Sequence, residues 1–450
     1  MATVASALER VKQDLHRYLP VTFIEQACKD AGHRWRKRKF DPVTTLQLFV
    51  LQVLWCNTAL THLRHLTKMP INAAAYCKAR MRLPLAALQR LLEHSAEAIL
   101  GGPGQNLWCG LRTYLVDATC ALAPDTPDNQ KSFPQPKGQQ KGCGFPVPKL
   151  LGLFDASSGV IVRVLFTPLY CQDLPGMIGL HPALGVGDLV VGDRAFCSYA
   201  HLAVLRARQT LALFRLHASR TVSFEQRRRG QHKRLRRRQG RQGHGPRVQR
   251  LGSGDQLGRW TKPRECDRPK WRSLAQYRAL PQEMLIRELR FVIPGHGGRT
   301  REVTVATTLL DPQLYPKKKI AELFGVRWTI ETPFAELKTT LKMRRIKCQT
   351  AVGVQKEMVV YCLVYNLTHA LMIEAADRQK VSPDRISFID TLRWMLSARP
   401  GEELPNLLTN PRRKGRHQPR VVKDRRDGYQ RMTRPRAVMN RHPEKWPGRK

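Results

Sequence analysis

Negative charge is what this sequence has least of. Asp and Glu number 35 against 78 Lys and Arg, a formal net charge of +43, and the isoelectric point lies near 10.7. Such a field adds little to fold stability but attracts polyanions. Nucleic acid is the expected partner, because each neutralised phosphate releases a counterion. A membrane surface would want an amphipathic basic helix or a lipidation signal, and neither is found. Other absences narrow the reading further. The eleven cysteines contain no C-x-x-C pair, which argues against a zinc site. A disulfide scaffold suits a short secreted chain, whereas Glu9 and Arg10 interrupt the N-terminus before any leader-like apolar core. The apolar stretch Leu46–Trp55, broken by Gln47 and Gln52, is too short to span a bilayer. No repeat of solenoid length is evident. Reduced thiols and a cytoplasmic, nucleoid-associated location are expected.

What is present suffices for a large fold. The chain has 450 residues, 42% of them hydrophobic, a length suggesting about three structural units. Residues 1–105 read as helical, with apolar residues at helical spacing in Val43–Cys56 and Leu83–Leu100. The basic run Arg34 to Lys39 within them is either a solvated face or a DNA contact. From Leu111 the pattern becomes strand-like. Tyr114-Leu115-Val116 ends in Asp117, Leu150–Phe154 and Val160–Phe166 flank hairpin chemistry at Asp155–Gly159, and Leu189-Val190-Val191 runs into Gly192-Asp193. With helices near Gly176–Leu184 and Ser198–Arg208 and a strand at Leu211–Leu216, the order predicts a mixed sheet with helices on its faces. Glu225–Arg250, rich in Arg, Gln and Gly, is assigned no regular structure. A hairpin, Met284–Ile293 with Val303–Leu309, precedes helices at Lys317–Met343 and Gln355–Ala376, and a loosely ordered basic tail closes the chain.

Chemistry is sought where carboxylates stand beside cations. On a continuous helix of about 100° per residue, Glu331 lies about 40° from Arg327 and Lys338 about 20°, with Phe324 about 60° to the other side and Glu336 about 180° away. The stripe alone fits a surface ion pair better than a site. Pro333 implies either a kink or a helix starting near Glu331. Asp117 and Asp193 each follow an apolar run, and two such carboxylates with a helical Glu could hold divalent cations. Asp125, Asp128, Asp155, Asp173 and Asp188 are rivals. Trp260, Trp271 and Trp328 each read more readily as core or surface aromatics than as stacking platforms. His62 and His65 read as surface residues rather than metal ligands.

Three blocks then give a specific resemblance: TYLVDATCALAPDTPDN around Asp117, GDLVVGDRAF around Asp193 and FGVRWTIETPFAELK around Glu331. The chain resembles the DDE transposases of the insertion sequence 4 family over roughly residues 105–375. That family's signature is Tyr, two residues, Arg, three residues, Glu, six residues, Lys; here Arg327, Glu331 and Lys338 match, with Phe324 in place of Tyr. The resemblance implies an α/β fold. Residues 1–105 would be a helical DNA-binding domain, 106–216 the first part of an RNase H-like core, and 217–310 a basic β-rich insertion. Residues 311–380 would be core helices carrying the Glu, and 381–450 a basic C-terminal region. It implies that Asp117, Asp193 and Glu331 bind two Mg²⁺ ions (Mn²⁺ able to substitute), and that Arg327, Lys338, Phe324 and Trp328 meet DNA. The partners implied are transposon ends and target DNA, gripped by a homodimer, and the reaction is end cleavage followed by strand transfer. A metal-dependent nuclease without strand transfer and an inactive DNA-binding remnant are the alternative readings.

Overall fold

The computed structural model describes residues 16–36, 38–67, 70–101, 107–138, 140, 142–217, 222–224, 244–294, 300–326, 331–399, 401–410 and 438. Its first elements are helical: α1 (Val21–Asp30), α2 (Pro42–Leu54), α3 (Leu63–Leu66), α4 (Ala73–Arg82) and α5 (Leu85–Leu100). Asp41 caps α2, its carboxylate accepting from the Thr44 amide at 2.7 Å with Pro42 at the first helical position. This is the helix start expected of Asp-Pro.

Thr113–Cys120 (β1), Lys149–Asp155 (β2) and Ile161–Thr167 (β3) form an antiparallel meander. The turn between β2 and β3 is held by Asp155, whose Oδ1 accepts from the amides and hydroxyls of Ser157 and Ser158. Helix α6 (Pro127–Ser132) lies between β1 and β2. The chain continues as α7 (Asp173–Leu180), β4 (Leu189–Gly192), α8 (Tyr199–Ala207) and β5 (Leu211–Arg215). Strands β4 and β5 run parallel to β1, so the helices between them act as crossovers. The predicted mixed sheet is therefore present.

The sheet then grows by four more strands, β6 (His244–Gly252), β7 (Asp255–Thr261), β8 (Glu283–Pro294) and β9 (Thr300–Thr307), with the short helix α9 (Leu274–Arg278) between β7 and β8. The nine strands lie in the order β3-β2-β1-β4-β5-β9-β8-β7-β6. Strand β6 corrects the sequence reading, which left Glu225–Arg250 without structure. From His244 the chain pairs with β7 at the outer edge of the sheet, where exposed Arg247 and Arg250 suit an unpaired rim. The arginine runs at 227–229 and 236–238 lie outside the described residues. Two buried polar groups tie these strands together. Arg287, 0% exposed, makes a two-pronged pair with Asp255 at 2.9 and 2.6 Å, and Glu288 accepts from Trp260 Nε1 and Gln256 Nε2.

Of the expected helix Lys317–Met343 the structure describes α10 (Lys317–Val326) and α11 (Glu331–Ala335), the latter passing into a π-helical turn, Glu336–Thr340; residues 327–330 lie outside the described residues. Pro333 lies within α11. Helix α12 (Ala351–Gln379) follows. Thr350 caps it by accepting from Gly353 N, and Asp128 accepts from Ala351 N at 2.6 Å. It is long and apolar enough to cross a membrane, yet 89% of its most apolar window is buried within the protein, as befits a helix that is apolar all round. Helix α13 (Phe388–Ser397) packs on α12; most of the last fifty residues, read from sequence as a loose tail, namely 411–437 and 439–450, lie outside the described residues.

The sheet carries a hydrophobic cluster on each face. One holds α7, α8 and the inner side of Tyr114, Val116 and Val190. The other joins Leu115 and Val191 to α10, α11 and α12, and runs without a break into α1, α2 and α5. The N-terminal helices thus share the core of the sheet rather than having their own. Asn57 donates to the buried Glu357 carboxylate at 2.5 Å, and Arg163 of β3 pairs with Glu93 of α5 at 2.9 Å.

Candidate active site

Two carboxylates leave the sheet side by side. The last register pair of parallel strands β1 and β4 joins Val116 to Gly192. The next residue on each strand is Asp117 and Asp193, on strands about 4.8 Å apart. Side chains alternate along a strand, so Asp117 follows Leu115 and Asp193 follows Val191 onto the face covered by α10–α12. Across β1, Asp117 is paired with Gly152, which presents no side chain beside it. Gly192 is required by close packing: a Cβ there would stand 2.8 Å from the Phe196 ring and 2.9 Å from Val116.

Asp117 Oδ1 accepts from the Ala118 amide at 2.8 Å. Asp193 Oδ1 is buried and has no hydrogen-bond partner. Its backbone is better held: Asp193 O accepts from Phe196 N at 3.0 Å, closing a 3-10 turn over Arg194–Phe196. Phe196 O in turn lies 2.7 Å from His201 Nδ1. A carbonyl only accepts, so that nitrogen carries the proton and His201 Nε2 is the acceptor in a neutral ring. His181 Nε2, 3.1 Å away, is then the donor. The two rings are parallel within 5° with centroids 5.2 Å apart, which with that N–N distance is an edge-to-edge hydrogen bond. Burial pushes the His201 imidazole down to about 3 and that of His181 to about 4, where Arg208 and Arg272 add to the effect. Both are neutral at physiological pH, and together they brace the turn that carries Asp193. Sequence reading missed this pair, since two histidines twenty residues apart carry no motif.

Lys338 sits in the π turn, half-buried. Burial first, and then the Arg344 charge, hold its ammonium below the ordinary lysine range, while Cys120 and Asp117 act in the opposite direction. Lys338 is therefore within electrostatic reach of Asp117. Glu331 is the first residue of α11; three residues on, Phe334 packs edge-on against Phe154 at 5.2 Å, and Phe154 pairs with Leu115. The start of α11 thus lies over the strands that carry Asp117. The side chain of Glu331, and Arg327 and Trp328 altogether, lie outside the described residues. The π turn changes the angular arithmetic, because a wider turn displaces Lys338 from the stripe calculated for a continuous α-helix.

Other expected residues are placed elsewhere. Phe324 is 0% exposed and packs against Phe291 at 6.1 Å; its ring belongs to the core and offers DNA no surface here. Trp260 is likewise fully buried, donating to Glu288 at 2.9 Å. Trp271 is half-buried, with the Arg272 guanidinium 5.7 Å from its ring. Glu336 has its own neighbour, lying 3.6 Å from His369. Each rival Asp has a structural partner. Asp125 accepts from Gln130, Asp128 caps α12, Asp155 holds its turn, Asp173 pairs with Lys149 and Asp188 accepts from Gly185 N. Among the described residues no group of three His, Cys, Asp or Glu is arranged to hold a metal; Asp117 and Asp193 form a pair whose third member would come from α11.

Residues 108–367 match the transposase DDE domain, and the chain belongs to that family. As a DDE transposase it cleaves DNA and transfers its strands, in dependence on divalent metal. The chain is 25% identical over 376 residues to the transposase InsG for insertion sequence element IS4 from Escherichia coli (strain K12), covering 79% of this chain and 77% of that one. The cryo-EM structure of piggyBac transposase in a synaptic complex with hairpin DNA aligns over 86% of this chain and 79% of its own, with a TM-score of 0.43 and 7% identity.

Proposed function

We propose that strands β1 to β5, in the order β3-β2-β1-β4-β5, are an RNase H-like core, with β6–β9 an insertion between β5 and the helix that carries Glu331. Asp117, Asp193 and Glu331 are the catalytic carboxylates, and they hold two Mg²⁺ ions. The observation that carries this reading is the buried, unpartnered Oδ1 of Asp193 beside Asp117 on the adjacent parallel strand. Two neighbouring carboxylates repel, and hard divalent cations take carboxylate oxygens, so the donor set fits. Bound there, the ions supply Lewis-acid stabilisation of the attacking and leaving oxygens of a phosphodiester.

The chain's own groups do the positioning. The parallel β1–β4 pair fixes the carboxylate spacing, and the Phe196–His201–His181 chain holds the Asp193 turn. Lys338 offers a half-buried cation to a phosphate held at Asp117. Arg327 and Trp328 belong with it by their place next to α11. Phe324, in the core, is left out of the DNA-contacting set. The N-terminal helices grip the element end, and two copies act on paired ends. Strand transfer separates this reading from a plain nuclease. A pre-cleaved element end bearing a 3′-hydroxyl, incubated with Mg²⁺ and a target plasmid, should yield joined products. Hydrolysed plasmid with no joined product would favour the nuclease.

A further inference from the structure

A cavity of about 500 Å³ opens between α2, α4 and the start of α12. Three cations line it: Arg80, Lys347 and Lys356. The hydrogen bonds they make go to neutral acceptors, and each keeps further N–H donors. Arg80 donates to Gln52 Oε1 at 2.8 Å and to Cys348 Sγ at 3.1 Å, with its guanidinium 3.8 Å from the Phe49 ring centre. Lys356 donates to the Met81 carbonyl at 2.7 Å, and Lys347 to that of Asn57. One carboxylate shares the cavity. Glu357 accepts from Asn57 Nδ2, Lys347 N and Cys348 N, which leaves three cations to one anion. Burial, with the Arg80 charge adding, lowers the Lys356 ammonium against the pull of Cys348. Crowded, partly desolvated like charges are costly unless an anion joins them.

A second hollow of about 390 Å³, also lined from α2 and α4, is bordered by Arg34, Arg36, Arg38 and Arg82. From Lys347 the chain leads back towards Asp117: Arg344 O and Ile346 N bond the backbone of Leu122, five residues beyond Asp117. Five residues of extended chain span roughly 16 Å.

We infer that the cavity between α2, α4 and α12 is a docking site for one backbone phosphate of the element's DNA end, with Arg80, Lys347 and Lys356 as its cations. The sugar beside that phosphate rests on Leu60 and Met81, two of the apolar residues of the lining. The inference rests on the reading of the Asp117–Asp193 edge as the place where DNA is cut. Taken along the duplex axis at about 3.4 Å per base step, that span puts the docked phosphate about five nucleotides from the cleaved bond.

The test is ethylation interference on the full-length protein, using a duplex that carries the element's own end. Lys347→Gln and Lys356→Met are compared with wild type, and thermal melting checks that each is folded. Wild type should depend on one or two adjacent phosphates about five nucleotides from the cut, and each variant should lose that dependence. Each should also lower the slope of log affinity against log salt by about 1. Lys347 is exposed, so Lys347→Gln decides the matter if Lys356→Met fails to fold. An unchanged pattern and slope in a folded variant overturns the inference. So does a site for small anions only, in which inorganic phosphate stabilises wild type but not the variant while DNA interference is unchanged. Asp193→Asn separates the two readings: it should lose cleavage yet keep the interference pattern.

Discussion

Asp193 holds one carboxylate oxygen buried without a hydrogen-bond donor. An unsatisfied buried polar atom costs about 1–3 kcal/mol, and more when charged. The free protein carries that strain, and a cation bound in the proposed site would relieve it. Asp193→Asn should therefore melt no lower than wild type, while strand cleavage falls at least about a thousandfold, some 4 kcal/mol of barrier. Asp117→Asn should do the same to cleavage. Mn²⁺ affinity, read by water-proton relaxation, should drop at least about tenfold in Asp193→Asn; wild-type affinity would remove Asp193 from the metal set. At this scale the sequence displayed the two Asp residues, since each ends an apolar run. It could not separate them from five others. The partners that occupy Asp128 and Asp173 are Ala351 and Lys149, 223 and 24 residues away in the chain, and only the fold brings them together. Phe324 was misleading for a related reason. Its spacing put it on a functional stripe, but spacing does not report burial.

The elements add a different set of consequences. The meander and crossovers were legible because each strand is a short apolar run closed by turn residues. At Pro333 the sequence left two alternatives, a kink or a helix start, and the π turn left no trace in composition. Strand β6 was hidden by its own arginines, which suit an edge and look like disorder. Lys338 rides on the π turn, and Lys338→Met should lower the salt slope of DNA binding by about 1; an unchanged slope would put it off the DNA. In the insertion, Asp255→Ala should destabilise by about 3–5 kcal/mol, because it strands Arg287 as a buried unpaired charge. Chemical denaturation measures that loss, and a change below about 1 kcal/mol would mean the pair behaves as an exposed one. The His181–His201 pair gives a pH signature. Both imidazoles are neutral when folded, with values of about 4 and 3, against about 6.5 in an unfolded chain. The unfolded state thus gains protons first, so the pair's contribution is complete above pH 6.5 and falls away as pH drops from there. Melting temperature should decline on acidification from about pH 7 to pH 5, and the double variant His181→Leu, His201→Leu should flatten that decline. An equal decline in both would mean the pair does not govern it.

For the whole molecule, charge and architecture agree. A net charge of +43 surrounds the proposed site of two aspartates and a third carboxylate from α11. The N-terminal helices share the hydrophobic cluster of α12, so cations on α4 and on the loop before α12 face one cavity, and DNA gripped there would be held in fixed register with the carboxylates. The central claim is that Asp117, Asp193 and Glu331 cut DNA at the ends of a mobile element. Its most direct test is a cleavage assay on DNA carrying the gene's own flanking sequence, run with Mg²⁺, with Mn²⁺ and with chelator, on wild type and Asp193→Asn. Cuts at fixed flanking positions that need the metal and vanish in the variant are the expected result. Binding without cutting under any metal, or equal cutting by the variant, would contradict it.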